Sequence, residues 1–325
     1  MINTLGLHQM VPQNTDNHGT AFTESIDHVS TSTGISAQER SITALKCAED
    51  NAKPEDFRRP GHMFPLEAKP GGVLERQGHT EVTVDLLKLA GLKEVGLCCE
   101  IMREDGTMMR THELKLFAQK HHLTFITIKD LIQYRKQYDV FIQPVAEINL
   151  PTPLGHFTLH GFLNTITKEQ HVALVLGNVT DGNPVLCRVH SECLLGDVFQ
   201  TYRCASGQKY TASMQQIAQE GRGILIYLRQ KGPELLDTLK MYQAMDKGLT
   251  PLMDLDFSQD YSAAAQILKQ LGVNNIQLIT NNSQKIEQLT QCGIQIMEQI
   301  PWSLQGEHPS VNQGTNFFEP RKHVH

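Results

Sequence analysis

Pro184-Val-Leu-Cys-Arg-Val-His-Ser-Glu-Cys193, followed by Cys204-Ala-Ser-Gly207, is the stretch on which the reading of the fold turns. Pro184 to Val189 is an apolar run of strand length, and it delivers a histidine, a glutamate and a cysteine at its end. The Cys-x10-Cys spacing then puts Ser206 where a third thiolate would complete a three-cysteine zinc site with an open fourth position. A neutral hydroxyl is a poor zinc ligand. The stretch therefore predicts the scaffold of a catalytic site from which one ligand has gone.

Working outward, two more β-rich runs precede this one, Phe157 to Leu163 and His171 to Asn178, entered through Leu150-Pro-Thr-Pro-Leu-Gly155, whose prolines favour extended backbone. Helix and strand then alternate over Ala212 to Glu220, Ile224 to Arg229, Glu234 to Lys247, Ala263 to Leu271, Ile276 to Thr280, Ser283 to Gln291 and Ile294 to Gln299. That alternation predicts an α/β unit with a mixed sheet. The polar stretch after Trp302 lacks periodicity and reads as a frayed tail.

Toward the N-terminus, Val95 to Met102 and Leu123 to Ile128 read as strands, the first of them buried. Glu113 to Lys120 and Lys129 to Gln137 read as helices, the latter opened by Asp130. Glycines and prolines cluster between Arg59 and Thr80 and mark a structured loop region of the kind that carries sites. Tyr138 to Glu147 reads as a connector.

Composition excludes several classes. With 325 residues, 40% hydrophobic and 20% charged, the chain has room for two globular cores. A net charge of −6 and no Lys/Arg-dense stretch argue against nucleic acid as a partner. No apolar run spans a bilayer and no signal-peptide core precedes Thr20, so a cytoplasmic protein is expected. Seven cysteines, with Cys98 and Cys99 adjacent in an apolar run, suit reduced thiols rather than a disulfide framework, with zinc or burial as their expected fates.

One constellation lies in the first half. Arg59-Pro-Gly-His62, Arg76-Gln-Gly-His-Thr-Glu81 and Glu100 combine histidines, arginines and carboxylates with loop glycines. Such a set suits a phosphorylated, enolisable substrate: Arg76 and Thr80 to hold a phosphate, His79 a divalent metal, His62 and Glu100 to move protons. The same residues also suit surface ion pairs and histidines bonded to carbonyls.

Asn14-Thr-Asp-Asn-His-Gly-Thr-Ala-Phe-Thr23, Ser32-Thr-Gly-Ile-Ser36, Arg59-Pro-Gly-His-Met-Phe-Pro-Leu66, Gly71-Gly-Val-Leu74 and Arg76-Gln-Gly-His-Thr-Glu81 together closely resemble 3,4-dihydroxy-2-butanone 4-phosphate synthase of riboflavin biosynthesis. The resemblance runs from about Leu5 to Tyr138. It implies conversion of ribulose 5-phosphate to the four-carbon phosphate and formate on Mg²⁺ or Mn²⁺. It further implies His79 as a metal ligand, and Arg76, Gln77, Gly78, His79 and Thr80 as the sugar-phosphate cradle. Glu100 would contact substrate, and His62 and Glu100 would form the acid/base pair. The acidic Arg-Glu-Asn-Glu-Gly-Asp loop that opens the family's domain is absent, so the synthase-like part is expected to be N-terminally truncated.

Leu150 to Gly155, Arg188 to Cys193, Gly196-Asp197, Glu220-Gly-Arg-Gly223, Tyr227-Leu-Arg-Gln230, Leu271-Gly-Val273 and Thr280-Asn-Asn282 resemble GTP cyclohydrolase II over about Val145 to Trp302. In that family three cysteines hold zinc. Cys193 and Cys204 match two of them as a vestigial pair, and Ser206 replaces the third. Lys209 stands for a nucleotide-binding glutamine, Lys231 and Pro233 for a glutamate and an arginine, and only Phe257, Ser258 and Gln259 stand where the proton acceptor and arginine nucleophile belong. Tyr242 matches a catalytic-site tyrosine. Arg188, Glu192, Thr280 and Lys285 remain as residual nucleotide or anion contacts, with a purely structural role as the alternative.

The expectation is an α/β (α+β) chain of two domains, each a mixed β-sheet with flanking helices: residues 1–138, a linker over 139–149, residues 150–303, and a tail over 304–325. The expected function is riboflavin-pathway synthase chemistry in the first domain with an inactive cyclohydrolase-like second domain. The alternative is a non-catalytic paralogue that binds or regulates, in partnership with a complete synthase. The resemblance also implies a homodimer acting on a small phosphorylated sugar.

Overall fold

In a computed structural model, residues 1–229, 235–249 and 260–302 are described. Lys231, Pro233, Phe257, Ser258, Gln259 and the tail over 304–325 lie outside them. The chain divides into two compact units, Met1–Asp139 and Val140–His325. Helices and a mixed sheet make the architecture α/β, as expected. Among the described residues no helix is long and apolar enough to cross a membrane.

The first unit pairs two short antiparallel strands, β1 (Ile26–His28) and β2 (Phe57–Met63), with an irregular register between Ile26 and Asp27. Leu5, Leu7, Ile26, Cys47 and Phe57 close over one another as its core. Helix α1 (Ala37–Cys47) starts where the Ser36 hydroxyl accepts from the Glu39 backbone N–H. The Glu39 carboxylate in turn receives the Ser32 hydroxyl and N–H, which hold it down to about 2. That reciprocal exchange pins the loop from Ser32 to Ser36 to the helix.

Helices α2 (His79–Leu89), α3 (Thr111–Lys120) and α4 (Ile128–Tyr138) complete the unit. Arg135 on α4 is buried and donates to the Asp85 carboxylate of α2, to Gly71 O and to Asp139. The helix expected to open at Asp130 is capped one turn earlier, by Thr127, with Asp130 returning a bond to it.

Two expected strands are not formed. Val95 to Met102 runs irregularly with Leu97 and Met102 exposed, and Leu123 to Thr127 does the same with Phe125 and Ile126 exposed, while Ile128 already opens α4. A strand needs a neighbour for its backbone groups, and among the described residues the only pairing here is the isolated Met102–Met108 bridge. Cys98 and Cys99 are accordingly exposed rather than buried. The Arg59–Thr80 region, read as loop, contains most of β2 and the start of α2.

Among the described residues, the second unit is built on a seven-stranded sheet. Its strands are β3 (Ile142–Thr152), β4 (Gly155–Asn164), β5 (Gln170–Leu176), β6 (Val185–Ser191), β7 (Gly223–Leu228), β8 (Asn275–Ile279) and β9 (Gln295–Ile300). Spatial order is β3-β4-β5-β7-β6-β8-β9, antiparallel as far as β7 and parallel from β7 to β9. The expected connector over 138–147 is half strand, because β3 begins at Ile142 and pairs with β4 along its length.

Helices α5 (Leu194–Asp197), α6 (Ser206–Glu220), α7 (Leu235–Asp246), α8 (Ser262–Gln270) and α9 (Ser283–Gln291) make the connections. Phe157, Leu174, Leu186, Met214, Ile217, Leu225 and Ile279 form the core between sheet and helix. Each such fully buried apolar side chain contributes roughly 1.5–3 kcal/mol. Strand β6 pairs in parallel with β8 over Val185–Cys187 and with β7 over Cys187–Ser191, and the Glu192 N–H extends the hold by donating to Leu228 O, so the backbone around His190 is fixed by the sheet.

Candidate functional site

In the first unit the β1–β2 pairing brings His62 to Asp27. The Asp27 carboxylate is buried, and both its oxygens serve one residue: Oδ1 accepts the His62 backbone N–H at 2.9 Å and Oδ2 lies 2.7 Å from His62 Nδ1. The ring itself stays open, with 42% of the side chain exposed. Glycines make room for this pair. A Cβ on Gly34, whose φ is +83°, would fall 2.2 Å from Asp27 Oδ2, and one on Gly61 would fall 2.0 Å from the backbone of Ile26.

Arg76 stands before α2 and is already engaged. One guanidinium nitrogen pairs at 2.6 Å with Glu81, a carboxylate with no exposed surface; the others donate to His18 O and the Thr20 hydroxyl. Gly78 lies so close to Arg76 and Glu81 that a Cβ would collide with both. Helix α2 then begins at His79 with no side-chain cap, which leaves the first N–H groups of His79 and Thr80 as donors at the positive end of the helix dipole.

Glu100 sits exposed in the irregular segment, and among the described residues no hydrogen bond or ion pair joins it to His62, Arg76 or His79. Among the same residues, no group of three or more His, Cys, Asp or Glu side chains is placed to hold a metal ion. Mg²⁺ wants a near-octahedral shell of oxygens. Among the described residues no such group forms around His79, so the side chains present do not make up that shell.

The second unit gathers its polar groups where β6 ends. Cys193 and Cys204 face each other with Sγ atoms 3.7 Å apart, too far for a disulfide and about the separation of two thiolates on one tetrahedral zinc. Ser206, the first residue of α6, gives its hydroxyl to Asp197 Oδ1 at 2.9 Å. Asp197 also accepts from Tyr227 OH at 2.9 Å and the Cys193 N–H at 2.9 Å, and both its oxygens lie 3.0 Å from His190 Nε2. Burial pushes the Asp197 carboxyl up, but the bonds from His190, Cys193 and Tyr227 outweigh it and leave it below its usual range. Two sulfurs and a hydroxyl engaged elsewhere do not match the three-ligand shell of a catalytic zinc.

Beside this hub, Arg188 is buried and donates to Ile279 O at 2.8 Å, while its Nε has no partner among the described residues. Lys285 is buried too, donating to Val189 O at 2.6 Å with its ammonium 4.8 Å from the centre of the Tyr261 ring. Burial and then the Arg188 charge bring Lys285 down to about 7. Lys209, lowered by burial and by Arg188, lies over Trp302. Thr280 is buried and accepts the Asn282 N–H, Glu192 pairs with Arg229, and Tyr242 is covered by Arg203.

Structure thus draws Arg188 and Lys285 together, and Cys193 with Cys204, but gives no link from Glu100 to His62. Asp27, His190 and Asp197 were not singled out for any role in the sequence. Asp27 carried no visible signal, since its partner is 35 residues away. Asp197 had one: a carboxylate beside a glycine, close to a Cys pair.

Residues 1–134 match the family model of 3,4-dihydroxy-2-butanone 4-phosphate synthase, and residues 143–301 that of GTP cyclohydrolase II. The fold and site therefore define a two-unit protein of these classes in series. Riboflavin biosynthesis protein RibBA of Bacillus subtilis (strain 168) is 49% identical over 312 residues, 93% of this chain and 78% of that protein. RibBA of Aquifex aeolicus (strain VF5) is 45% identical over 312 residues, 91% of this chain and 76% of that protein. Among solved structures, RibBX of A. baumannii, a two domain 3,4-dihydroxy-2-butanone 4-phosphate synthase, matches with a TM-score of 0.64 and 32% identity over 86% of this chain and 76% of that one. The chain belongs to the RibBA family of riboflavin biosynthesis proteins.

Proposed function

We propose that the first unit converts ribulose 5-phosphate to 3,4-dihydroxy-2-butanone 4-phosphate and formate, and that the second unit does not open GTP. The observation that carries the first half is His62, held at Nδ1 by a buried carboxylate with its ring open, an arrangement suited to proton transfer. The uncapped start of α2, from Gly78 to Thr80, suits the sugar phosphate. Arg76 supports that cradle through Glu81 and the Thr20 hydroxyl, and Glu100 would have to swing toward His62 with substrate bound.

For the second half, the Ser206 hydroxyl bonded to Asp197 supports loss of the zinc shell. A solved relative of two domains bears the synthase name alone. Arg188, Glu192, Thr280 and Lys285 would remain as an anion-binding remnant.

Formate measured from ribulose 5-phosphate and Mg²⁺, with GTP turnover measured in parallel, tests both halves. Formate without GTP consumption is expected; GTP turnover would sink the second half. A non-catalytic partner protein is the competing reading, favoured by the full engagement of Arg76 inside the fold. It expects no formate from the chain alone and formate on mixing with a complete synthase.

A further inference from the structure

Two groups on His62, its backbone N–H and its Nδ1, meet two oxygens of one buried carboxylate. A carboxylate only accepts, so Nδ1 carries the proton and Nε2 is left without one in the neutral ring. Among the described residues Nε2 has no hydrogen-bond partner, and it lies on the ring edge opposite Asp27. The carboxylate is itself immobilised. Gly34 closes over it with no room for a Cβ, and Arg58 reaches across to Thr31 O and the Thr31 hydroxyl, holding the turn that follows β1.

We propose that Asp27 is a positioning residue: it fixes His62 in the Nδ1–H tautomer and so makes Nε2 the atom that takes up and returns the proton. The proposal rests on the synthase reading for the reaction served, but not for the tautomer. It differs from a plain structural role in what Asp27→Asn does. The His62 backbone N–H still requires an acceptor, so the amide oxygen stays on it and the amide NH₂ is turned toward Nδ1. The ring must then accept at Nδ1 and carry its proton on Nε2. An isosteric change thus leaves the fold and reverses the tautomer.

The test uses the full chain with ¹⁵N-labelled histidine, the His62 resonances being assigned by their loss in His62→Gln. The wild type is expected to show the Nδ1–H pattern and D27N the Nε2–H pattern. With it, D27N should lower kcat for formate release about 10²- to 10⁴-fold with little change in KM, the range of a lost general acid/base, and D27E should recover part of the rate. An unchanged tautomer in D27N, or an unchanged kcat with a reversed tautomer, overturns the proposal. A fall in KM-limited rate alone, matched by a lower unfolding midpoint, also overturns it by showing a merely structural role. If the wild type releases no formate, the synthase reading and the catalytic half fall together, while the NMR result still decides whether Asp27 sets the tautomer.

Discussion

The Ser206 hydroxyl donates to Asp197 at 2.9 Å, and Asp197 is the acceptor on which His190, Tyr227 and the Cys193 backbone also converge. A cysteine at this position would put a third sulfur beside a pair whose spacing already suits tetrahedral zinc. The wild-type chain, purified and dialysed with zinc, is expected to retain far less than one equivalent, and Ser206→Cys to retain about one. On the proposed reading, with Lys231 and Pro233 standing where the resemblance implies a glutamate and an arginine, GTP turnover is not expected to return with the metal. Equal zinc content in the two proteins would remove the assignment of Ser206 to Asp197.

Gly34 has its φ at +83° and lies against the Asp27 carboxylate. Gly34→Ala meets both a disfavoured backbone region, costing about 1 kcal/mol, and a collision that displaces Asp27. Formate release is expected to fall to the level of the D27N variant while the far-ultraviolet spectrum is retained. Full activity in Gly34→Ala would show that the carboxylate tolerates movement.

Arg135 and Asp85 are a buried ion pair with further bonds to Gly71 O and Asp139. Removing one partner leaves the other charge buried and uncompensated, so Arg135→Met should cost about 3–5 kcal/mol in denaturant unfolding of the first unit. The double change Arg135→Met, Asp85→Asn should cost less than the single one. A double variant as weak as the sum of both singles would mean the pair is not coupled.

Stability should also vary with pH in a set direction. Lys285 is held down to about 7 from 10.5 by burial and by Arg188, so between those values the unfolded chain keeps a proton that the folded one has released. Stability therefore rises with pH from about 7, by at most about 1.4 kcal/mol per unit. Burial acts oppositely on the thiols, pushing Cys187 up to about 12 and Cys47 up to about 11 from 9.0. Above 9 the unfolded thiols ionise first, and stability is lost. Unfolding midpoints are expected to climb from pH 7 to about 9 and then level or fall, and Lys285→Met should flatten the climb.

The second unit was legible in the sequence because its signals are local. Ser283 to Gln291 is the helix in pattern and in structure alike, opened by Asn282 accepting from the Lys285 N–H. The strand patterns at Phe157, Ile224 and Ile276 likewise fall on β4, β7 and β8, each within a few residues. Val95 to Met102 misled for the opposite reason: an apolar run says that a strand is affordable, but pairing depends on a partner elsewhere in the chain. The candidate site divides the same way. His62 stood out by its neighbours, whereas Asp27 became visible only when the β1–β2 pairing crossed those 35 residues.

Strand β6 pairs backbone to backbone with β8 over Val185–Cys187 and with β7 over Cys187–Ser191. The coordinates of Arg188 and His190 are thus written in peptide amides, whereas Cys193, just past the strand, is held by the Asp197 carboxylate. A protein built this way can carry different reactive groups at such positions and remain folded throughout. Its history can be recorded in the pocket without being erased by collapse of the sheet.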